Sequence, residues 1–127
     1  MKVRYARLFT NAAGHTEIEA LSAELVPGFA APPADPLHTA PFLQGDGTLF
    51  WVGATPDWNG GPPHPAPRPM VFVFLQGSCE VTTSDGRAHA FGPGDMLLMD
   101  DTTGPGHSTR NTGSQDCLLL GIGLPPA

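Results

Sequence analysis

Charged side chains make up only 14% of the 127 residues, and the basic ones are scarcer, six Lys and Arg against twelve Asp and Glu for a net charge of −6. Three of the six, Lys2, Arg4 and Arg7, fall within the first seven positions. No basic stripe is left to neutralise a phosphate backbone, so no nucleic-acid partner is expected. Long apolar runs are also missing. None approaches the roughly 20 residues needed to span a bilayer, and the N-terminus lacks the apolar stretch of a secretory signal. The expectation is a cytoplasmic protein with no membrane partner. Cysteine is limited to Cys79 and Cys117, both in apolar strand-like segments, and buried thiols are favoured over a disulfide or a nucleophile. No phosphate loop, Ser/His/Asp order or paired-Cys motif occurs.

Glycine and proline, by contrast, are plentiful: 16 and 15 residues, close to a quarter of the chain. Each internal proline removes a backbone donor and costs about 3 kcal/mol in a helix interior, so long helices are excluded. A hydrophobic content of 40% supplies one core and rules out a wholly disordered chain. What remains is a single all-β domain of short strands between tight turns.

The segment 3–9 (VRYARLF) alternates as an edge strand whose charges suit an exposed or subunit-pairing edge, and a homodimer is expected from it. The segment 15–26 (HTEIEALSAELV) carries both helical and strand spacing, with strand favoured. Five prolines from Pro27 to Pro41 predict an extended covering segment. Strands are expected at 48–53, 70–77, 79–83, 87–91, 96–99, 107–111 and 117–123. The tight SDG turn at 84–86 should join 79–83 to 87–91 as a hairpin. Strands recurring about every ten residues describe a sandwich or small barrel.

Between His64 and Asn111 a specific pattern emerges. His64, Ala66 and Met70 precede Gly77 at the spacing of a His, a second His and a Glu before a glycine. Gly94, the GPG of 104–106, His107 and Asn111 follow as a second block, with FGPGD at 91–95. In these residues the chain resembles the cupin superfamily, small jelly-roll β-barrels, with a degenerate metal-binding motif. The resemblance implies a cupin-like barrel core over 48–123, with residues 1–47 as an N-terminal strand and covering segment. A complete cupin site holds its metal with three His and one Glu, and here Ala66 and Met70 replace two of the four. A metal-free pocket is therefore expected. The alternative is a divalent metal (Fe, Mn, Ni or Zn) held by His64 and His107, for which the Met70 thioether is a poor additional ligand.

Strand alternation would put His64, Ala66, Arg68 and Met70 on one face, continued by Phe72, Phe74 and Gln76. Arg68 is equally compatible with solvent if the proline-rich strand bulges. Trp51 suits the core, and it and Trp58 flank the approach to His64, where either would stack on a planar ligand. Asp100 and Asp101 read as turn formers. The reading that follows is an acid/base isomerase, lyase or cyclase acting on an apolar carbonyl compound. His64 and His107 would transfer protons and Arg68 would hold an oxyanion. Two alternatives are a metal-dependent oxygenase or lyase with an incomplete ligand set, and a non-catalytic small-molecule-binding cupin.

Overall fold

The computed structural model describes residues 1–28 and 33–126. All of the regular structure is β. The strands are β1 (Lys2–Thr10), β2 (Thr16–Glu24), β3 (Val26–Gly28), β4 (Leu37–Thr39), β5 (Leu49–Ala54), β6 (Met70–Gln76), β7 (Cys79–Thr82), β8 (Ala88–Phe91), β9 (Met96–Met99), β10 (Ser108–Asn111) and β11 (Cys117–Gly123). A six-stranded sheet in the order β2-β1-β9-β6-β11-β5 faces a three-stranded sheet, β10-β7-β8, and β3 pairs with β4 alone. The fold is an all-β, cupin-like jelly roll. No helix among the described residues is long and apolar enough to cross a membrane.

Alternation along each strand divides core from surface. Leu8, Met70, Phe74, Leu97 and Leu119 from the large sheet meet Cys79, Val81 and Phe91 from the small one in the main core. The Phe74 and Phe91 rings stack with centroids 5.2 Å apart, joining the two sheets. A second cluster, Val71, Leu98 and Leu124 with Ile122, lies outside the barrel. The stretch that follows the proline-rich segment reaches this outer side: Phe42 meets Tyr5 edge-on at 4.7 Å, and the Asp46 amide donates to the Gly123 carbonyl at 2.9 Å. The proline-rich stretch 27–41, expected as an extended covering segment, contributes to the short strands β3 and β4, and its residues 29–32 fall outside the described residues.

Segment 15–26 forms strand β2, and the 79–91 hairpin forms with Val81 opposite His89. The edge assignment of the first strand is corrected. β1 pairs antiparallel with β2 over nine residues and parallel with β9 through Ala6, Arg7 and Leu8. Residues 6–8 are thus paired on both sides and β2, not β1, is the edge of the sheet, so the homodimer expected from an edge at β1 loses its basis. Of its charges, Arg7 is paired within the chain, with Asp100 at 3.0 Å and Glu19 at 3.1 Å, while Lys2 and Arg4 stay exposed.

Candidate functional site

A cavity of about 400 Å³ occupies the space between the sheets. Phe50 and Val52 of β5, Met70, Phe72 and Phe74 of β6, and Leu97 and Met99 of β9 line it, and His64, His107 and Trp58 stand with them. Phe50 and Phe72 meet edge-on at 6.0 Å across the wall. Apart from the two imidazoles and the Thr109 side chain, the named walls are apolar, which suits a large apolar group and gives a polar one few partners.

The two histidines are brought together by backbone pairing. His64 and His107 form an isolated antiparallel bridge, each amide donating to the other's carbonyl at 3.0 Å. Gly106 permits this approach: its φ is +75°, and a Cβ there would lie 2.0 Å from the His64 carbonyl carbon, a distance no side chain tolerates. The rings sit 5.4 Å apart at 50°. Nδ1 of His64 lies 3.0 Å from the Pro62 carbonyl, and Nδ1 of buried His107 lies 2.5 Å from Oδ2 of fully buried Asp101. When each Nδ1 donates, each Nε2 is left free of these bonds.

Asp101 is thus the residue that sequence reasoning set aside. It is no simple turn former, since its carbonyl also accepts the Ala66 amide at 3.0 Å. Asp100, beside it, points outward to Arg7.

Of the predicted site residues, His64, His107, Met70, Phe72, Phe74 and Trp58 meet at the cavity. Three do not. Arg68 lies in a bend at 67–68 that breaks the alternation. Its guanidinium pairs with Asp46 and reaches the Leu124 carbonyl at 3.3 Å, away from the cavity lining. Gln76 is turned out by a β-bulge. Phe74 pairs with Leu119 and Gln76 with Leu118, leaving Leu75 as an extra residue, so the period-2 alternation slips by one. The Gln76 side chain donates to the Asp116 carbonyl at 3.1 Å. Trp51 is 70% exposed and neither core nor cavity wall; it lies one residue out of phase with the inward Phe50 and Val52.

The donor set does not fit the metal that the cupin resemblance implies. Among the described residues no group of three or more His, Cys, Asp or Glu side chains converges. At the other two ligand positions stand Ala66 and Met70, both buried. Two imidazoles alone leave a divalent ion's remaining positions without protein donors.

No protein-family model matches the sequence, and no curated protein matches it. Solved structures do. The chain is similar to the cupin domain of Cnp3 from Schizosaccharomyces pombe, with 17% identity and a TM-score of 0.49 over 98% of this chain and 84% of that one. It is also similar to CENP-C of Drosophila melanogaster bound to CAL1, with 16% identity and a TM-score of 0.48 over 78% of this chain and 74% of that one. The expectation of an acid/base isomerase, lyase or cyclase is corrected. Arg68, expected to hold the oxyanion, is not at the cavity but pairs with Asp46. The small-molecule carbonyl partner expected with that chemistry is corrected with it, because the residue assigned to hold its oxygen is tied to Asp46 instead.

Proposed function

We propose that this chain is a non-catalytic binding domain that holds an extended segment of a partner protein along β5, with a large apolar side chain of that segment in the barrel cavity. The observation that carries the reading is the adjacency of a cavity and an open sheet edge. Among the described residues β5 is bonded on one side only, to β11, while its inward side chains, Phe50 and Val52, line the cavity. An extended peptide added to a free edge gains main-chain hydrogen bonds, and a pocket for alternate side chains supplies selectivity. Leu49 and Trp51 project from the other face of the same strand, 67% and 70% exposed, and offer the segment a second apolar contact. The net charge of −6 favours a partner with basic flanks through long-range attraction. The pocket works in this reading without a metal.

The test uses an acetylated, amidated peptide of alternating threonine and phenylalanine with a lysine at each end, titrated at micromolar to millimolar concentration. Binding is expected to slow hydrogen exchange at the β5 amides and to weaken at least tenfold in Ala66→Phe, which fills the cavity. Binding that leaves β5 exchange unchanged, or that Ala66→Phe does not weaken, overturns the reading. Uptake of free indole with no uptake of the peptide overturns it too, and returns the cavity to a small molecule.

A further inference from the structure

Two thiols face each other across the core on opposite sheets. Cys79 opens β7 of the three-stranded sheet and Cys117 opens β11 of the six-stranded one. Both are buried, both are free, and their sulfurs lie 2.8 Å apart. Gly77 makes the approach possible. It adopts φ +81°, and a Cβ on it would lie 2.9 Å from Cys117 Cα and 3.0 Å from Cys117 Sγ, so a larger residue would push β11 away. The Cys117 thiol also reaches the Ser78 carbonyl at 3.1 Å. The pair is not sealed from outside, because Cys79 lines the cavity and a small molecule that enters the barrel meets its sulfur.

We propose that Cys79 and Cys117 are a modification site, a dithiol that a hydroperoxide entering through the cavity converts to an intramolecular disulfide joining the two sheets. Cys79 attacks the peroxide as a thiolate, forming an S–O bond and breaking the O–O bond. The product is a sulfenic acid, and the leaving oxygen departs as an alcohol, or as water when the oxidant is hydrogen peroxide. Cys117 then displaces the sulfenic oxygen as water and the S–S bond forms. Two sulfurs lose two electrons in total, the peroxide gains them, and both thiol protons end on oxygen. Burial is the largest cause that lifts the Cys79 thiol, with Cys117 adding to it, to about 12. The thiolate fraction at neutral pH is therefore small and the reaction slow, rising about tenfold per pH unit between pH 7 and 9.

The intact, folded protein is incubated with hydrogen peroxide, unfolded in N-ethylmaleimide and weighed. The expected product is about 2 Da lighter, carries no maleimide and regains both thiols on reduction. Arg87 and Arg110 lie between the cysteines, so trypsin leaves the two on separate peptides that only the disulfide joins. Closing a loop of this length is expected to raise the melting temperature by on the order of 10 °C. Cys117→Ser should instead accumulate products about 16 or 32 Da heavier, because the sulfenic acid on Cys79 has no resolving thiol. Oxygen added to Cys79 of the wild-type protein, located by fragmentation so that methionine sulfoxide is not counted, overturns the proposal, as do two maleimide-labelled thiols after prolonged oxidation or a disulfide formed only between chains.

Discussion

Asp101 has no exposed surface and one side-chain partner, Nδ1 of His107. Its other oxygen, Oδ1, is buried without a hydrogen-bond partner among the described residues. Removing the carboxyl in Asp101→Ala strands a buried imidazole N–H, and an unsatisfied buried donor costs about 1–3 kcal/mol. Urea unfolding should show a loss of that size, while Asp101→Asn, which keeps an acceptor oxygen in place, should lose less. An Asp101→Ala protein as stable as wild type would mean that the His107 ring is held by its strand and not by its carboxylate. The role of this residue was hidden in the sequence because its local signals are those of a turn: two aspartates open a TTG loop. What buries it is tertiary, the bond between its carbonyl and Ala66 from a distant segment. The histidines were legible for the opposite reason, since their spacing to glycines is a local pattern that survives in the fold.

Strands with clear alternation and Gly-bearing turns were readable as elements; their neighbours and irregularities were not. The 79–91 hairpin shows why the first part succeeded. Thr83 Oγ1 donates to Asp85 Oδ1 at 2.6 Å, and the Arg87 amide donates to the same oxygen at 3.0 Å, so the turn sequence carries its own hydrogen bonds. These bonds, the Thr83 hydroxyl first and the Arg87 amide second, hold the Asp85 carboxyl below its ordinary value. A depressed folded-state value makes the contribution complete above the unfolded pKa, and it disappears as pH falls through the folded one. In Thr83→Ala the Asp85 titration followed by NMR should move up toward the usual carboxylate range, and the acid-side loss of hairpin stability should be smaller and complete at a higher pH. An unmoved titration would assign the depression to the backbone amide alone. The β6 bulge had no such local signal. MVFVFLQ reads as an unbroken apolar strand, and the extra residue at Leu75 appears only in its pairing with β11. That single slip misplaced Gln76.

At the scale of the molecule, the fold class followed from composition and turn spacing, whereas strand order depends on pairings between residues far apart in sequence. β1 has the charges of an edge but lies inside the sheet, because Arg7 finds Glu19 and Asp100 on the strand beside it and at the end of β9. Arg68 makes the same point with consequences for function. Its ion pair with Asp46 joins the segment before β5 to the segment before β6. Asp46 is further tied by its amide to Gly123 and by its side chain to the Thr48 amide, each at 2.9 Å. Arg68 is therefore a clasp on the outer side of the large sheet. The pair is partly solvent-exposed, so Arg68→Ala should cost no more than about 1 kcal/mol. Hydrogen exchange at the Asp46 and Thr48 amides should accelerate, with peptide binding at the cavity unchanged. A role for Arg68 at the ligand predicts the opposite pattern: unchanged exchange at Asp46 and Thr48, with probe binding weakened as much as by Ala66→Phe. Measuring exchange and affinity on the one variant separates a clasp from a ligand contact, since the two groups of atoms lie on opposite sides of the same sheet.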